Sequence, residues 1–297
     1  MQVGLMAPQG WKGEYHGWRA EDAWARTIEL AKGAEELGFE SLWVFDHFHT
    51  VPVPTDDITL EGWVVLAALA TQTHRVRLGP LVLSAGFRNP ALVAKMAGTL
   101  DVIAGGRLEL GIGAGWKEDE WRGYGYGFPT LGDRMSALGD HLEIISRMLM
   151  PGRASYEGAY AHVEGAINEP KGLQKPRIPI IVGGNGKNRT FRYAARFADE
   201  LNLVFLAPEG VAELLPIVRQ RCEEEGRDPA TLRVSLYARD TDVRPEGQER
   251  IDYLGRIREL GIARLIGFLG RWSVEPEAQA RFAEDVAAAG IELARAA

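Results

Sequence analysis

The chain has 297 residues, of which 46% are hydrophobic and 25% are charged, a balance that favours a large folded core over disorder. The formal net charge of −7, with no segregated basic face, argues against a nucleic-acid partner. A single cysteine, Cys222, excludes an intramolecular disulfide, and the absence of a membrane-length apolar run or a leader-like N-terminus indicates a cytoplasmic protein.

Short apolar runs alternate along the chain with longer stretches of helical spacing. The apolar runs predict buried parallel strands at Val3–Met6, Ser41–Phe45, Val76–Leu83, Leu108–Ile112, Ile178–Val182, Leu201–Leu206, Leu232–Tyr237 and Arg264–Phe268. The helices are predicted at Glu21–Leu37, Gly62–Thr73, Ala91–Ile103, Leu131–Leu149, Asn188–Phe197, Val211–Glu225, Glu246–Leu260 and Pro276–Ala288. Eight such pairs predict one α/β domain over residues 1–297, a (β/α)8 barrel. A doubly wound sheet is the rival, because strand order is invisible in sequence.

The regular spacing is interrupted once, between Leu149 and the fifth predicted strand. Within this segment, residues 154–163 alternate between apolar and polar side chains, with Gly158 at the expected turn. We therefore predict a hairpin-containing insertion before strand 5, on the rim of the barrel.

Ionisable side chains follow the second predicted strand directly. Asp46, His47 and His49 stand where that strand should open onto the barrel mouth, and active sites of this fold lie at the carboxyl ends of the strands. A capped structural histidine is the alternative interpretation. We predict that Asp46 and His47 carry the chemistry.

Three further strand ends are rich in small residues. Leu83–Pro90 and Gly111–Trp116 offer little side-chain bulk, and glycines on one face of a strand leave space for a ligand or another backbone. Gly183–Lys187 leads into a helix that carries Arg189 and Arg192, a pattern typical of an anion site. Together they predict a cavity for a phosphorylated planar cofactor. Neither a dinucleotide fingerprint nor a Walker loop is present.

Several stretches of the chain resemble the luciferase-like flavin and F-420-dependent oxidoreductases, and the resemblance covers almost the whole sequence. The stretches are Ala34–Phe48, Arg88–Pro90 with Leu100 and Asp101, Gly106–Trp116, Glu169–Pro170 and Pro179–Gly184. Asp46-His47-Phe48 combined with Gly113-Ala114-Gly115-Trp116 is similar to the branch that uses the deazaflavin coenzyme F-420. The alternative within the superfamily is a monooxygenase that uses FMN.

The resemblance implies a residue-level site. His47 would be a proton donor or base beside the deazaflavin, with Asp46 next to it, and a non-prolyl cis peptide at Leu81–Val82 would support the back of the ring. The implied cofactor-binding residues are Asp46, Leu81, Val82, Ser84, Gly113, Ala114, Gly115, Trp116, Gly183, Gly184, Asn185 and Gly186. Some members carry a carboxylate where this chain has Trp116, so a general acid borrowed from them has no counterpart here. A homodimer or higher homo-oligomer is also implied.

Two other classes of function compete with this interpretation. His47 and His49 have the spacing of two metal ligands on one strand, which would suit a metal-dependent barrel hydrolase, but no histidine follows the fifth or sixth strand. We therefore predict no metal site. A non-enzymatic binding protein of the same fold is the second competitor. The small-molecule substrate itself is not specified by the sequence.

Overall fold

The computed structural model describes residues 1–243 and 245–294, and its strands form one barrel sheet and one hairpin. The barrel strands are β1 (Gln2–Met6), β2 (Ser41–Val44), β3 (Arg77–Pro80), β4 (Leu83–Ser84), β5 (Leu110–Gly113), β8 (Ile180–Gly183), β9 (Glu200–Val204), β10 (Arg233–Tyr237) and β11 (Arg264–Gly267). The hairpin strands are β6 (Ala154–Glu157) and β7 (His162–Ala166). Each predicted strand is present, with ends shifted by a few residues.

Helices follow the strands as the sequence pattern predicts. They are α1 (Ala20–Leu37), α2 (Gly62–Gln72), α3 (Pro90–Ile103), α4 (Glu118–Gly123), α5 (Leu131–Leu149), α6 (Arg189–Phe197), α7 (Pro208–Glu224), α8 (Asp240–Val243), α9 (Gln248–Glu259) and α10 (Pro276–Ala288). Gly38 ends α1 in the left-handed conformation at φ 94°, as its cap position predicts. The short helices α4 and α8 were not predicted. In the described part of the chain, no helix has the length and apolarity needed to span a membrane.

The barrel is closed by the third strand, which is divided in two. All neighbouring strands pair in parallel, in the order β3-β2-β1-β11-β10-β9-β8-β5-β4. β3 and β4 are consecutive parts of the predicted strand Val76–Leu83, and a parallel bridge joins Leu78 of β3 to Leu108, next to β5. The ring of strands therefore closes. This confirms the (β/α)8 prediction and excludes the doubly wound sheet, whose edges stay open.

The inside of the barrel contains charge at its amino-terminal end and apolar side chains above it. Arg264 is fully buried and pairs with the carboxylates of Glu40, Glu109 and Glu200. Above this network an apolar cluster that includes Trp43 is separate from the larger core between strands and helices. Paired charges and the Trp43 cluster occupy the lower barrel, and a cavity opens at the carboxyl ends of the strands.

The insertion contains the predicted hairpin, which packs against the outer helices. β6 and β7 pair antiparallel across a turn that includes Gly158. The hairpin packs against α5 and, with Ala94 of α3, forms a small apolar cluster, while Asp140 of α5 accepts hydrogen bonds from Tyr156 and from the backbone of Tyr160. The insertion therefore packs on the outer helix layer, and none of its residues lines the cavity described below.

Candidate active site

A cavity of about 480 Å³ opens at the carboxyl ends of the barrel strands. It is lined by every predicted site residue except Asn185 and Gly186. Those that line it are Asp46, His47, Leu81, Val82, Ser84, Gly113, Ala114, Gly115, Trp116, Gly183 and Gly184. Residues far apart in sequence meet here because parallel strands of a barrel all end at the same face.

His47 is held in one orientation by a buried carboxylate. Its Nδ1 lies 2.7 Å from Oε2 of Glu120, which is fully buried on α4. The other oxygen of Glu120 accepts a hydrogen bond from the backbone N–H of Phe48 at 3.0 Å. The imidazole also stacks on Trp11, with ring centroids 4.7 Å apart. Because Glu120 occupies Nδ1, the Nε2 atom of His47 is the one left for a ligand.

Asp46 is buried beside His47, but its carboxylate is already engaged. Oδ2 accepts hydrogen bonds from the backbone N–H of Ser84 at 2.8 Å and from Arg88 at 2.9 Å. Burial raises the pKa of Asp46, and the Arg88 guanidinium opposes that shift. Arg88 also pairs with Glu61. Asp46 therefore fixes the start of β4 against β2, which makes it a positioning residue rather than a free acid or base.

Val82 forms the floor of the cavity, surrounded by glycines. The Leu81–Val82 peptide is cis, as the resemblance predicts. A Cβ on Gly113 would lie 2.9 Å from Val82 Cγ2, and one on Gly183 would lie 3.0 Å from Val82 Cγ1. These glycines therefore make room for the Val82 side chain. The prediction that their space is left for a ligand is wrong in detail, because Val82 fills it and presents the flat apolar surface.

Some residues of the loop after β8 line the cavity, whereas others pack against neighbouring parts of the protein. Gly184, at φ 129°, and Thr190 of α6 line the cavity, so the amino-terminal turn of α6 adjoins it. Asn185 instead faces Val204, donating to its carbonyl at 2.8 Å and accepting from its N–H at 2.9 Å. Gly186 packs against Thr190. An anion at this loop would therefore be met by backbone N–H groups and the helix end.

The two arginines expected to reinforce this anion site point elsewhere. Arg189 donates to the Gly132 carbonyl and to Ser136 on α5. Arg192 pairs with Glu224 of α7 and with Glu225 just beyond it. Both guanidinium groups tie neighbouring helices together, so that part of the prediction is wrong.

Aromatic side chains line the side of the cavity near His47. Trp11 and Phe45 have ring centroids 4.1 Å apart, and Tyr237 lies 5.9 Å from Phe45 and 4.7 Å from Phe205. Trp116 stands at the opening, 60% exposed and edge-on to the imidazole. Tyr124 and Tyr126 pack on Phe48, and neither of them lines the cavity.

Glu120 is the cavity residue beside His47 that sequence reasoning missed. It belongs to the acidic run Glu118–Glu120 directly after the glycine-rich end of the fourth barrel strand, which is where the fold places active-site residues. This position after a strand end is the signal in the sequence that could have identified Glu120. The sequence shows no counterpart for the carboxylate that some family members carry at the position of Trp116. Glu120, about one helical turn further along the chain, places a carboxylate against His47.

No described residues form a cluster of three or more His, Cys, Asp or Glu side chains able to hold a metal ion. Within the predicted ligand pair, His47 Nδ1 faces Glu120 and His49 Nδ1 lies 2.9 Å from the Thr50 carbonyl oxygen. Nothing in this geometry favours the hydrolase interpretation.

This chain is similar to known proteins along most of its length. A family model described as luciferase-like monooxygenase matches residues 1–289. An F-420-dependent glucose-6-phosphate dehydrogenase of Kineococcus radiotolerans is 32% identical over 207 residues, covering 68% of this chain and 59% of the relative.

Two solved structures share the fold at low sequence identity. An F-420-dependent secondary alcohol dehydrogenase in complex with an F-420–acetone adduct has a TM-score of 0.79 at 20% identity, covering 97% of this chain and 98% of the other. The oxygenating constituent of 3,6-diketocamphane monooxygenase from Pseudomonas putida, a type II Baeyer–Villiger enzyme in complex with FMN, has a TM-score of 0.72 at 18% identity, covering 99% and 98%.

Proposed function

The chain belongs to the luciferase-like monooxygenase family, and from that membership we propose that it transfers a hydride between coenzyme F-420 and a small organic substrate. The observation that carries this proposal is the pairing of His47 with buried Glu120 beside the glycine-flanked floor at Val82. Hydride transfer requires a seat for the ring and one group that manages a proton, and in this proposal Val82 with its flanking glycines and His47 take these roles.

The glycine-rich side of the cavity fits a flat, phosphorylated cofactor. Val82, Gly113 and Gly183 would support the ring, while Gly184 and the first turn of α6 would hold phosphate oxygens through backbone N–H groups. Ser84 Oγ and Asn202 Oδ1 also belong to lining residues and have no hydrogen-bond partner among the described residues, so a ligand with polar edges would complete their bonding. When bound, F-420 supplies a carbon centre that accepts or donates hydride.

The protein's own task is to bind the substrate and manage the proton that accompanies hydride transfer. Glu120 accepts a hydrogen bond from the Nδ1–H of His47, which leaves Nε2 to accept a proton from a substrate hydroxyl or, in reverse, to return it to a carbonyl oxygen. The apolar wall around the imidazole excludes water and strengthens these polar contacts. Asp46 takes no proton in this scheme, because Ser84 and Arg88 occupy its oxygens.

An FMN-dependent monooxygenase is the second candidate. It is favoured by the description of the family and by a shared fold with an enzyme solved in complex with FMN. The same floor and helix terminus would serve either ring and its phosphate.

A parallel titration of the purified protein with F-420 and with FMN, followed by calorimetry, separates the two candidates. We expect F-420 to bind more tightly. Tight binding of FMN with no heat from F-420 would overturn the proposal in favour of the monooxygenase. No response to either cofactor would favour a binding protein of this fold.

A further inference from the structure

The mouth of the cavity has two chemically different halves. The glycine half, built by the ends of β4, β5 and β8, presents Val82, Gly113 and Gly183. The aromatic half, built by the ends of β2, β9 and β10 and the loop after β1, consists of Trp11, Phe45, Phe205 and Tyr237. His47 stacks on Trp11 at the edge of the aromatic half. A ligand beside the imidazole would therefore contact both halves.

The aromatic half forms a continuous wall, and Lys117 is the one lysine or arginine among the described residues that line the cavity. Its rings touch in sequence from Trp11 through Phe45 and Tyr237 to Phe205, at centroid distances between 4.1 and 5.9 Å. The lysine among the lining residues, Lys117, is paired with Asp119 and also donates to the Pro52 carbonyl. Lys12 is not a lining residue, although its Nζ lies 4.6 Å from the Trp11 ring centroid. The described lining therefore offers a phosphorylated substrate no unpaired cation, whereas it favours an apolar body.

Phe205 is held in an unusual backbone conformation at this wall. Its φ of 56° lies in the left-handed region, which a bulky side chain adopts only when its surroundings enforce it. Asn185 bonds both the N–H and the carbonyl of the preceding residue Val204, and the Phe205 N–H donates to the Tyr237 carbonyl at 2.9 Å. These bonds keep Phe205 at the cavity with its side chain 43% exposed.

An exposed phenyl ring that is held in this backbone conformation indicates a surface that contacts a ligand. We infer that the aromatic half is the substrate subsite for an uncharged molecule with an apolar body and one hydroxyl or carbonyl oxygen directed at His47. In this arrangement Phe205 determines specificity and Asn185 is its positioning residue. The inference rests on the proposed function, because it assigns the glycine half to the cofactor.

Ligand binding tests the substrate class. In calorimetry on the F-420-loaded protein, we expect acetophenone and 1-phenylethanol to bind and glucose 6-phosphate to give no heat. Binding of glucose 6-phosphate, or no binding of either apolar probe, would overturn the inference. The same titration without cofactor keeps the two proposals separate: if F-420 does not bind but acetophenone does, the cofactor assignment fails and the subsite stands.

Substitutions at Phe205 test the assignment to a residue. Phe205→Gly and Phe205→Asn remove the ring while suiting the left-handed backbone, so the melting temperature should hold or rise. We expect acetophenone affinity to fall by about tenfold, the equivalent of losing one buried aromatic contact, with F-420 affinity unchanged. Asn185→Ala should also lower acetophenone affinity, but its melting temperature should fall because two hydrogen bonds to Val204 are lost. Ile167→Ala, at a 56% exposed residue on the insertion, is the control. Unchanged acetophenone affinity in both Phe205 variants would remove that residue from the subsite.

Discussion

We propose His47 as the catalytic base, and its surroundings fix the orientation of the imidazole as well as its position. Trp11 covers one face of the imidazole, and Glu120 engages Nδ1 from α4. A base oriented by a third group is the arrangement that activates proton transfer in many unrelated enzymes. This orientation depends on a carboxylate 73 positions away in sequence.

Replacing His47 tests this role. We expect His47→Ala to slow turnover by about a hundredfold or more, the usual contribution of general acid–base catalysis, while F-420 affinity changes much less. Turnover is measured per folded molecule with 1-phenylethanol or a surrogate hydride acceptor. Full activity of the variant across the pH range would leave His47 as a wall of the cavity.

Glu120→Gln tests whether the carboxylate that contacts His47 is needed to orient the imidazole. The amide still accepts a hydrogen bond from the backbone N–H of Phe48, but the charge that orients the imidazole is lost. We expect its turnover to lie between the wild-type and His47→Ala values. Turnover equal to the wild type would show that the carboxylate is not needed for positioning.

The protonation of His141 on α5 makes the free energy of unfolding depend on pH. Desolvation by burial lowers its pKa from 6.5 to about 4, and Asp140 only partly opposes this. The unfolded chain therefore binds a proton in the window between these values while the folded chain does not, so stability falls as pH drops from 6.5 toward 4. Urea unfolding at pH 5 should show a loss of about 2 kcal/mol from this group. In His141→Leu that part of the pH dependence should disappear, and an unchanged pH slope would contradict the assignment.

At the scale of elements, the divided third strand and the start of α6 shape the glycine half of the cavity, where we propose that the cofactor binds. The break between β3 and β4 inserts Val82 among three strand-end glycines, and α6 begins where Gly184 and Thr190 meet the cavity. The helix dipole and free N–H groups favour an anion at this point without any arginine.

A charge placed at the start of α6 tests the anion site. Thr190→Glu should weaken F-420 binding by at least tenfold, because a like charge beside a phosphate is repelled, whereas Thr190→Gln, of the same size, should bind nearly normally. This pair is preferable to a substitution at Gly184, where φ of 129° would strain any side chain. Equal dissociation constants for the two variants, with intact melting curves, would remove this helix end from the site.

At the scale of the whole molecule, self-association remains a prediction from family resemblance. We expect a dimer or higher oligomer through the early helices, where Val64 on α2 is a large apolar side chain exposed at 69%. Sedimentation at micromolar concentration should show more than the 32.7 kDa species. Val64→Glu should shift the population toward the monomer, and Ile167→Glu should not. A wild-type protein that sediments only as a monomer contradicts the prediction.

The barrel itself was predictable from sequence because its physical cause is local and repetitive. Each strand–helix pair buries its own apolar stripe, so Ser41–Val44 and Ala20–Leu37 are visible as patterns without knowledge of their neighbours. The position of His47 and Asp46 at the mouth follows from the rule that strand ends carry the chemistry.

Only the tertiary structure decided which of these residues is free to act. Asp46 is engaged by Ser84 and Arg88, Asn185 supports Val204 rather than a cofactor, and the glycines at 113 and 183 make room for Val82. Each outcome depends on contacts between segments far apart in sequence, and the spacing of residues along one strand carries no information about them. Glu120 shows the same limit most clearly, because the carboxylate that orients His47 lies on a short helix that only the closed barrel brings against it.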